Sequence, residues 1–221
     1  MRSKLLEVYQ LLLGQYSPQH WWPSDTPFEM MVGAILTQSA AWTNVEKAIA
    51  NLKKEDALSP SAIRALPEPE LAQLVRPSGY YNAKARKLKA MASFLWEEYG
   101  DDPRGLREDG ELLREKLLKV YGIGEETADD IALYVGGIAT FVVDAYTRRL
   151  VLRLGVFSED KPYETYRRLF MENLPADVAM FGEYHALIVR HAKEACRKTA
   201  PRCGGCVLRR ICDFGKSSGA A

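Results

Sequence analysis

LLKVYGIGEETADDIALYVGGIATFVVD, Leu117 to Asp144, is the stretch on which the reading of the fold turns. It reads as helix, glycine turn, helix, and then a short apolar run closed by a single acid. Gly122-Ile123-Gly124 is too rich in glycine for a helix interior, where glycine costs roughly 1 kcal/mol relative to alanine. Two glycines can adopt positive φ and leave backbone N–H groups pointing outward. From Glu125 the helical period restarts, with Ala128, Ile131, Ala132 and Val135 on one face. A helix N-terminus with free N–H groups is a ready phosphate site. Taken alone, the glycines fit an ordinary helical hairpin. Phe141-Val142-Val143-Asp144 changes the balance, because it sets one carboxylate behind three apolar residues. A buried acid with a shifted pKa is expected at such a place.

Outward from this stretch, 221 residues can form one large or two small domains with ample apolar content for a core. Net charge is +1, so bulk electrostatics announce no nucleic-acid partner. The distribution says more. Lys84, Arg86, Lys87 and Lys89 form a cluster with no acid inside it, and eight Lys/Arg between Arg190 and Lys216 face only Glu194 and Asp213. Such local excess suits phosphate contact, although a solvated helix face has the same composition. No signal-peptide pattern opens the chain and no apolar run is long enough to span a membrane. A cytoplasmic protein is expected, and its four cysteines are then not structural disulfides.

Residues 3 to 14 read as an amphipathic helix with Leu5, Leu6, Val8, Leu11 and Leu12 on its apolar side. A loop with adjacent Trp21 and Trp22 follows; neighbouring residues cannot both face one core from a regular element. One reading has them plugging a gap between domains, the other has them walling a base pocket. Thr26-Pro27-Phe28-Glu29 carries the signals of a helix start. Trp42 opens a further helix, Ser59 to Leu74 holds two short helical pieces, and Gly100 to Gly110 reads as a loop. Beyond Asp144, helices are expected around Tyr146–Leu154, Tyr163–Asn173 and Asp177–Cys196.

All four cysteines fall within the last part of the chain, as Cys196-x6-Cys203-x2-Cys206-x5-Cys212. Thiols this close in a reducing compartment argue for a metal. Zinc is the generic candidate, but its sites more often pair two short C-x-x-C turns, and only one exists here.

Taken together, the Gly122-Ile123-Gly124 hairpin, Val143-Asp144 and the cysteine spacing resemble the endonuclease III superfamily of helix–hairpin–helix DNA glycosylases, over nearly the whole chain from Phe28 to Cys212. The resemblance implies an all-α, two-lobed glycosylase fold with a C-terminal 4Fe–4S cluster loop. Residues 25–134 would form the helical barrel; residues 1–24 and 135–221 would form the cluster lobe, with DNA in the cleft between. It implies Cys196, Cys203, Cys206 and Cys212 as cluster ligands and Asp144 as the catalytic acid. Gly122, Ile123, Gly124 and Thr127 would grip the phosphate backbone. Leu36-Thr37-Gln38 resembles a helix end whose glutamine enters the gap left by an extruded base. Gly79-Tyr80-Tyr81-Asn82-Ala83-Lys84-Ala85 resembles the turn whose bulky residue, here Tyr80, wedges into the opposite strand. Bifunctional members carry a nucleophilic lysine two residues after the second hairpin glycine. Glu126 stands there, and a carboxylate cannot form the imine.

Glu126, the Trp21-Trp22-Pro23 loop and Trp42 resemble the endonuclease III-type 3-methyladenine glycosylases, in which aromatic residues at those places stack on the extruded base. The four cysteines depart from that branch, which can lack the cluster. The implied activity is a monofunctional DNA N-glycosylase of base excision repair acting on alkylated purines. Glycosylases for mismatched, deaminated or oxidised bases, and a non-catalytic DNA-damage-binding module, are the alternatives. The expected partner is damaged double-stranded DNA, bound by a monomer associated with the nucleoid. An alkylated purine is cationic and departs neutral, so the enzyme needs base extrusion, an aromatic pocket from Trp21, Trp22 and Trp42, and an anion near the sugar. Glu126 either contacts base or water, or is an acid favoured at a helix start.

Overall fold

The computed structural model describes residues 1–19, 21, 23–110 and 112–218, and all regular structure among them is helical. The chain divides into two compact units, Trp22–Ile138 and Met1–Trp21 with Ala139–Ala221.

In the order of the chain, α1 spans Arg2–Tyr16, α2 Pro27–Thr37, α3 Trp42–Lys54, α4 Pro60–Ala65, α5 Glu68–Leu74 and α6 Tyr81–Tyr99. Then come α7 Leu112–Leu117, α8 Glu125–Tyr134, α9 Ala145–Arg153, α10 Tyr163–Asn173, α11 Val178–Glu194 and α12 Asp213–Ser217. Two 3-10 segments, Arg76–Ser78 and Pro103–Asp109, lie between them.

In the Trp22–Ile138 unit α2 is buried from Phe28 to Leu36 on every side, as expected of a helix that is apolar all round. It packs against α3, α6 and α8. Its start is fixed by the sequence: Glu29 N donates to Thr26 Oγ1 at 3.1 Å, and Pro27 sits at the first position. Ser59 and Pro60 start α4 in the same way, with Ala62 N donating to Ser59 Oγ at 3.2 Å. The Gly100–Gly110 stretch, read as loop, contains the 3-10 segment; Pro103 at its first position and Arg104 N donating to Asp102 Oδ1 at 3.0 Å account for that.

In the other unit α11 packs against α1 and α9. Tyr184 donates its hydroxyl to Leu5 O at 2.9 Å, and Phe141 stacks on Phe170 with centroids 3.7 Å apart. Phe141, Val142 and Val143 are all buried, so the apolar run before Asp144 is an extended core segment.

The basic cluster of α6 is a correction. The sequence suggested a phosphate-facing row, but most of it turns inward. Lys84 is 2% exposed and donates to Leu36 O at 2.9 Å and Ser78 O at 2.6 Å. Lys89 caps α4, donating to Ile63 O and Arg64 O at 3.0 Å each and also to Leu66 O. Lys87 donates to Gln38 Oε1 at 2.5 Å. Arg86 alone of the four is exposed. Helix C-termini leave carbonyls without partners, and long basic side chains can reach them. Lys89→Met is therefore expected to destabilise the fold by about 1.5–3 kcal/mol, the range for hydrogen bonds from a charged group. Arg86→Met should stay within about 0.5 kcal/mol. Urea denaturation of both variants is the check; equal losses would contradict the assignment.

Candidate functional site

The hairpin is built on one demanding glycine. Gly122 has φ +78, and a Cβ there would lie 2.4 Å from Lys87 Cγ. The positive φ requires glycine, and a Cβ would also push the Lys87 side chain aside. Gly124 differs from expectation: at φ −94 and ψ −179 it is extended backbone, and it serves as the N-cap of α8 without a side-chain cap. Ile123 is 6% exposed and anchors the turn from inside. Glu125 and Glu126 are exposed in the first turn of α8. The turn thus presents backbone N–H groups at a helix N-terminus, the arrangement that favours an anion.

Gln38 is the C-cap of α2, and the fold brings it to this hairpin. Its Nε2 donates to Gly122 O at 3.2 Å and to Thr127 Oγ1 at 2.9 Å, while its Oε1 accepts from Lys87. Thr127 is 5% exposed, so its hydroxyl faces Gln38 and not an incoming phosphate. Tyr80 is 75% exposed, at φ 46 and ψ 32, directly after Gly79 at φ 70. The turn holds its ring outward, in a left-handed conformation that costs an aromatic residue energy.

Asp144 is the N-cap of α9, accepting from Thr147 N through Oδ1 at 2.7 Å. Its Oδ2 lies 3.8 Å from His185 Nε2, within ion-pair range and beyond a hydrogen bond. The Asp144 side chain is 13% exposed and that of His185 6%. Burial opposes ionisation of Asp144, but the imidazole of His185 and the N–H of Thr147 outweigh it and hold the carboxyl below the usual range. Upstream, Val143 N donates to the Tyr163 hydroxyl at 3.2 Å, which fixes the approach of the chain to the acid.

Trp21 is half-buried, with the Lys193 ammonium 5.8 Å from its ring centroid. Trp42 begins α3 and packs half-buried against the core of the Trp22–Ile138 unit. Trp22 lies outside the described residues. The tryptophans of the sequence reading thus stand in separate units where they are described.

Cys196, Cys203, Cys206 and Cys212 line one cavity together with Arg153, His191 and Leu208. Among the described residues no three His, Cys, Asp or Glu side chains are drawn into one tight metal-binding group. N–H donors point at the sulfurs: Arg153 Nη1 is 3.2 Å from Cys196 Sγ, and Gly215 N is 3.4 Å from Cys212 Sγ. Burial pushes the Cys206 and Cys212 thiols up. Four soft donors on one cavity, with N–H groups directed at sulfur, suit a thiolate-bound cluster.

Sequence reasoning missed His185, Lys84 and Lys87. His185 is one of only three histidines and sits on the apolar side of α11, a pattern more often met in ordinary cores. Lys87 was visible only as charge, and Lys84 only as charge and as a member of the turn motif that holds Tyr80.

The depressed Asp144 pKa has a testable sign. Its ionised form contributes stability that is complete above the unfolded carboxylate pKa and is lost as pH falls through the lower folded value. Asp144→Ala should therefore cost about 1 kcal/mol or more at neutral pH, the usual value of a lost N-cap. The cost should shrink in acid, as read by denaturant titrations at both pH values.

The signature described as "HhH-GPD superfamily base excision DNA repair protein" matches residues 32–176. MJ1434 of Methanocaldococcus jannaschii, named provisionally as a DNA repair glycosylase, is 45% identical over 210 residues, covering 94% of this chain and 95% of its own. The fold matches a trapped endonuclease III–DNA covalent intermediate with a TM-score of 0.84 at 22% identity, over 98% of this chain and 97% of the other. Helicobacter pylori 3-methyladenine DNA glycosylase bound to 1,N6-ethenoadenine matches with a TM-score of 0.73 at 27% identity, over 86% of this chain and 97% of the other.

Proposed function

From the premise that the chain belongs to the HhH-GPD superfamily and is a DNA glycosylase, we propose that it is monofunctional: it releases alkylated purines such as 3-methyladenine and leaves the strand intact. The observation that carries this is Glu126. It occupies the first turn of α8, two residues beyond Gly124, where the resemblance puts the lysine of bifunctional enzymes. Lys84 is no substitute, because its ammonium is buried and bonded to two carbonyls. The likeness to the Helicobacter pylori 3-methyladenine enzyme supports the alkylated-purine reading.

In this reading damaged double-stranded DNA binds a monomer. A backbone phosphate meets the N-terminus of α8 just past Gly124, the N–H of Ile123 being held by Val120 O at 3.1 Å. Tyr80 wedges into the stack, which costs a few kcal/mol offset by contacts to the bent duplex. Gln38 leaves its bonds to Gly122 and Thr127 to fill the gap. An aromatic face such as that of Trp42, half-buried at the start of α3, suits a cationic base. Asp144, fixed by Thr147 N, stays ionised beside the developing sugar cation and orients water. Glu126 adds negative charge at a helix start. Cys196, Cys203, Cys206 and Cys212 hold a 4Fe–4S cluster, which when bound supplies iron–thiolate cross-links between the end of α11 and the loop leading to α12. Arg202, Arg209 and Arg210 ride on that loop.

A panel of duplexes bearing defined lesions, scored for base release with and without alkali, tests the activity. Release should be seen with alkylated purines, strand cleavage only after alkali, and no complex should be trapped by borohydride. Asp144→Asn should lower base release by about a hundredfold or more while DNA affinity changes little, because the charge acts chiefly in the transition state. A robust borohydride-trapped complex of the unaltered protein, or release of neutral oxidised bases only, would reject the reading.

The metal is tested separately. Anaerobically purified protein should be brown, with iron and acid-labile sulfide in near-equal amounts. A colourless protein with one bound zinc would contradict the cluster assignment.

A further inference from the structure

Of the lysines of α6 that turn inward, Lys84 does more than cap a helix. The carbonyls it bonds belong to Leu36 and Ser78, each two residues before a side chain read above as entering the duplex, Gln38 and Tyr80. Its own N–H donates to Tyr80 O at 3.0 Å. That bond is the ordinary first-turn bond of α6; the ammonium alone ties the C-terminal end of α2 to the turn that presents Tyr80, by one bond to each.

Both ends of this tie are energetically expensive. A non-glycine residue in a sparsely populated backbone region costs on the order of 1–3 kcal/mol and persists only where its surroundings over-determine it. Tyr80 is such a residue, and at 75% exposure its ring gains little from packing. The buried ammonium is costly as well: burial and the neighbouring Lys87 bring the Lys84 pKa down to about 8. An apolar side chain would remove the buried charge but leave Leu36 O and Ser78 O without this donor, so the lysine both satisfies the end of α2 and sets where the Tyr80 turn stands against it.

We propose that Lys84 is a positioning residue for base extrusion, fixing the spacing between Gln38 and Tyr80 so that both enter the duplex in register. It acts on nucleotide extrusion and not on cleavage of the glycosidic bond. This rests on the reading of Tyr80 and Gln38 as the pair that enters DNA.

The test separates extrusion from cleavage. A 7-methylguanine is presented once within a duplex and once in a single strand, where little unstacking is needed, and single-turnover base release is measured on each. Lys84→Met, which keeps the bulk and removes the donors, should lower duplex release by about tenfold or more, an effect the cost of wedging can supply. Release from the single strand should change less than about twofold. Tyr80→Ala should show the same duplex-selective loss, and the double variant should lose little more than either single one, as expected for residues acting on one step. Equal losses on both substrates, or none on the duplex, would overturn the positioning role. A Tyr80→Ala variant without duplex-selective loss would instead reject the reading of Tyr80 on which the inference rests. If circular dichroism shows Lys84→Met unfolded, Lys84→Gln takes its place with the same expectation. Failure of both to fold would assign Lys84 to stability alone and overturn the inference.

Discussion

A protein made of short helices has many helix ends, and each end leaves backbone groups that need partners. That constraint shapes both units. In the Trp22–Ile138 unit the long helix α6 meets it: Lys84 reaches the end of α2 and the Arg76–Ser78 turn, and Lys89 reaches the end of α4. Asn51 does the same for Leu74 O at 2.9 Å. In the other unit Lys4 reaches Leu154 O at 2.6 Å, past the end of α9. Arg149 and Arg153 reach Cys196 O at 2.9 Å and Arg197 O at 2.8 Å, past the end of α11. The arginines that close α11 also approach the first cysteine, so satisfying a helix end and shaping the sulfur cavity are one arrangement.

This use of cations changes how DNA can be held. A chain with net charge +1 whose α6 lysines are committed to protein oxygens has fewer side chains left for phosphates. Backbone N–H groups at the Gly122–Gly124 turn carry no net charge, and a phosphate held there displaces fewer counterions than one held by lysine. If DNA is held as proposed above, affinity depends on a precise backbone shape. Gly122, pressed against Lys87 at positive φ, is where that shape is fixed.

Local signals were legible in the sequence because their physics is local. Thr26-Pro27 and Ser59-Pro60 start helices through neighbours within three residues. The hairpin and the position of Asp144 at a helix start follow from glycine chemistry and a change of period. What the sequence hid is the destination of long side chains. Lys84, Lys87 and Lys89 looked like a surface row because spacing shows which face a residue is on and not how far that face is buried. Gln38 and Thr127 are 89 positions apart, and no pattern in either neighbourhood announces their bond. His185 and Asp144 are hidden in the same way.

The setting of Asp144 bears on the kind of base that can leave. Its Oδ1 is held by Thr147 N at the start of α9, its Oδ2 faces His185, and both influences favour the ionised form. The positive end of the helix dipole adds to this. A carboxyl held below its usual pKa is a poor proton donor and a good permanent anion. It suits stabilising a sugar cation or orienting water, and it cannot readily protonate a departing base. A neutral base needs that proton or an equivalent hydrogen bond. An alkylated purine is already cationic and departs as a neutral molecule. The acid is therefore compatible with the alkylated-purine reading, in which the leaving group asks only for a fixed anion; the proton for a neutral base would have to come from another group.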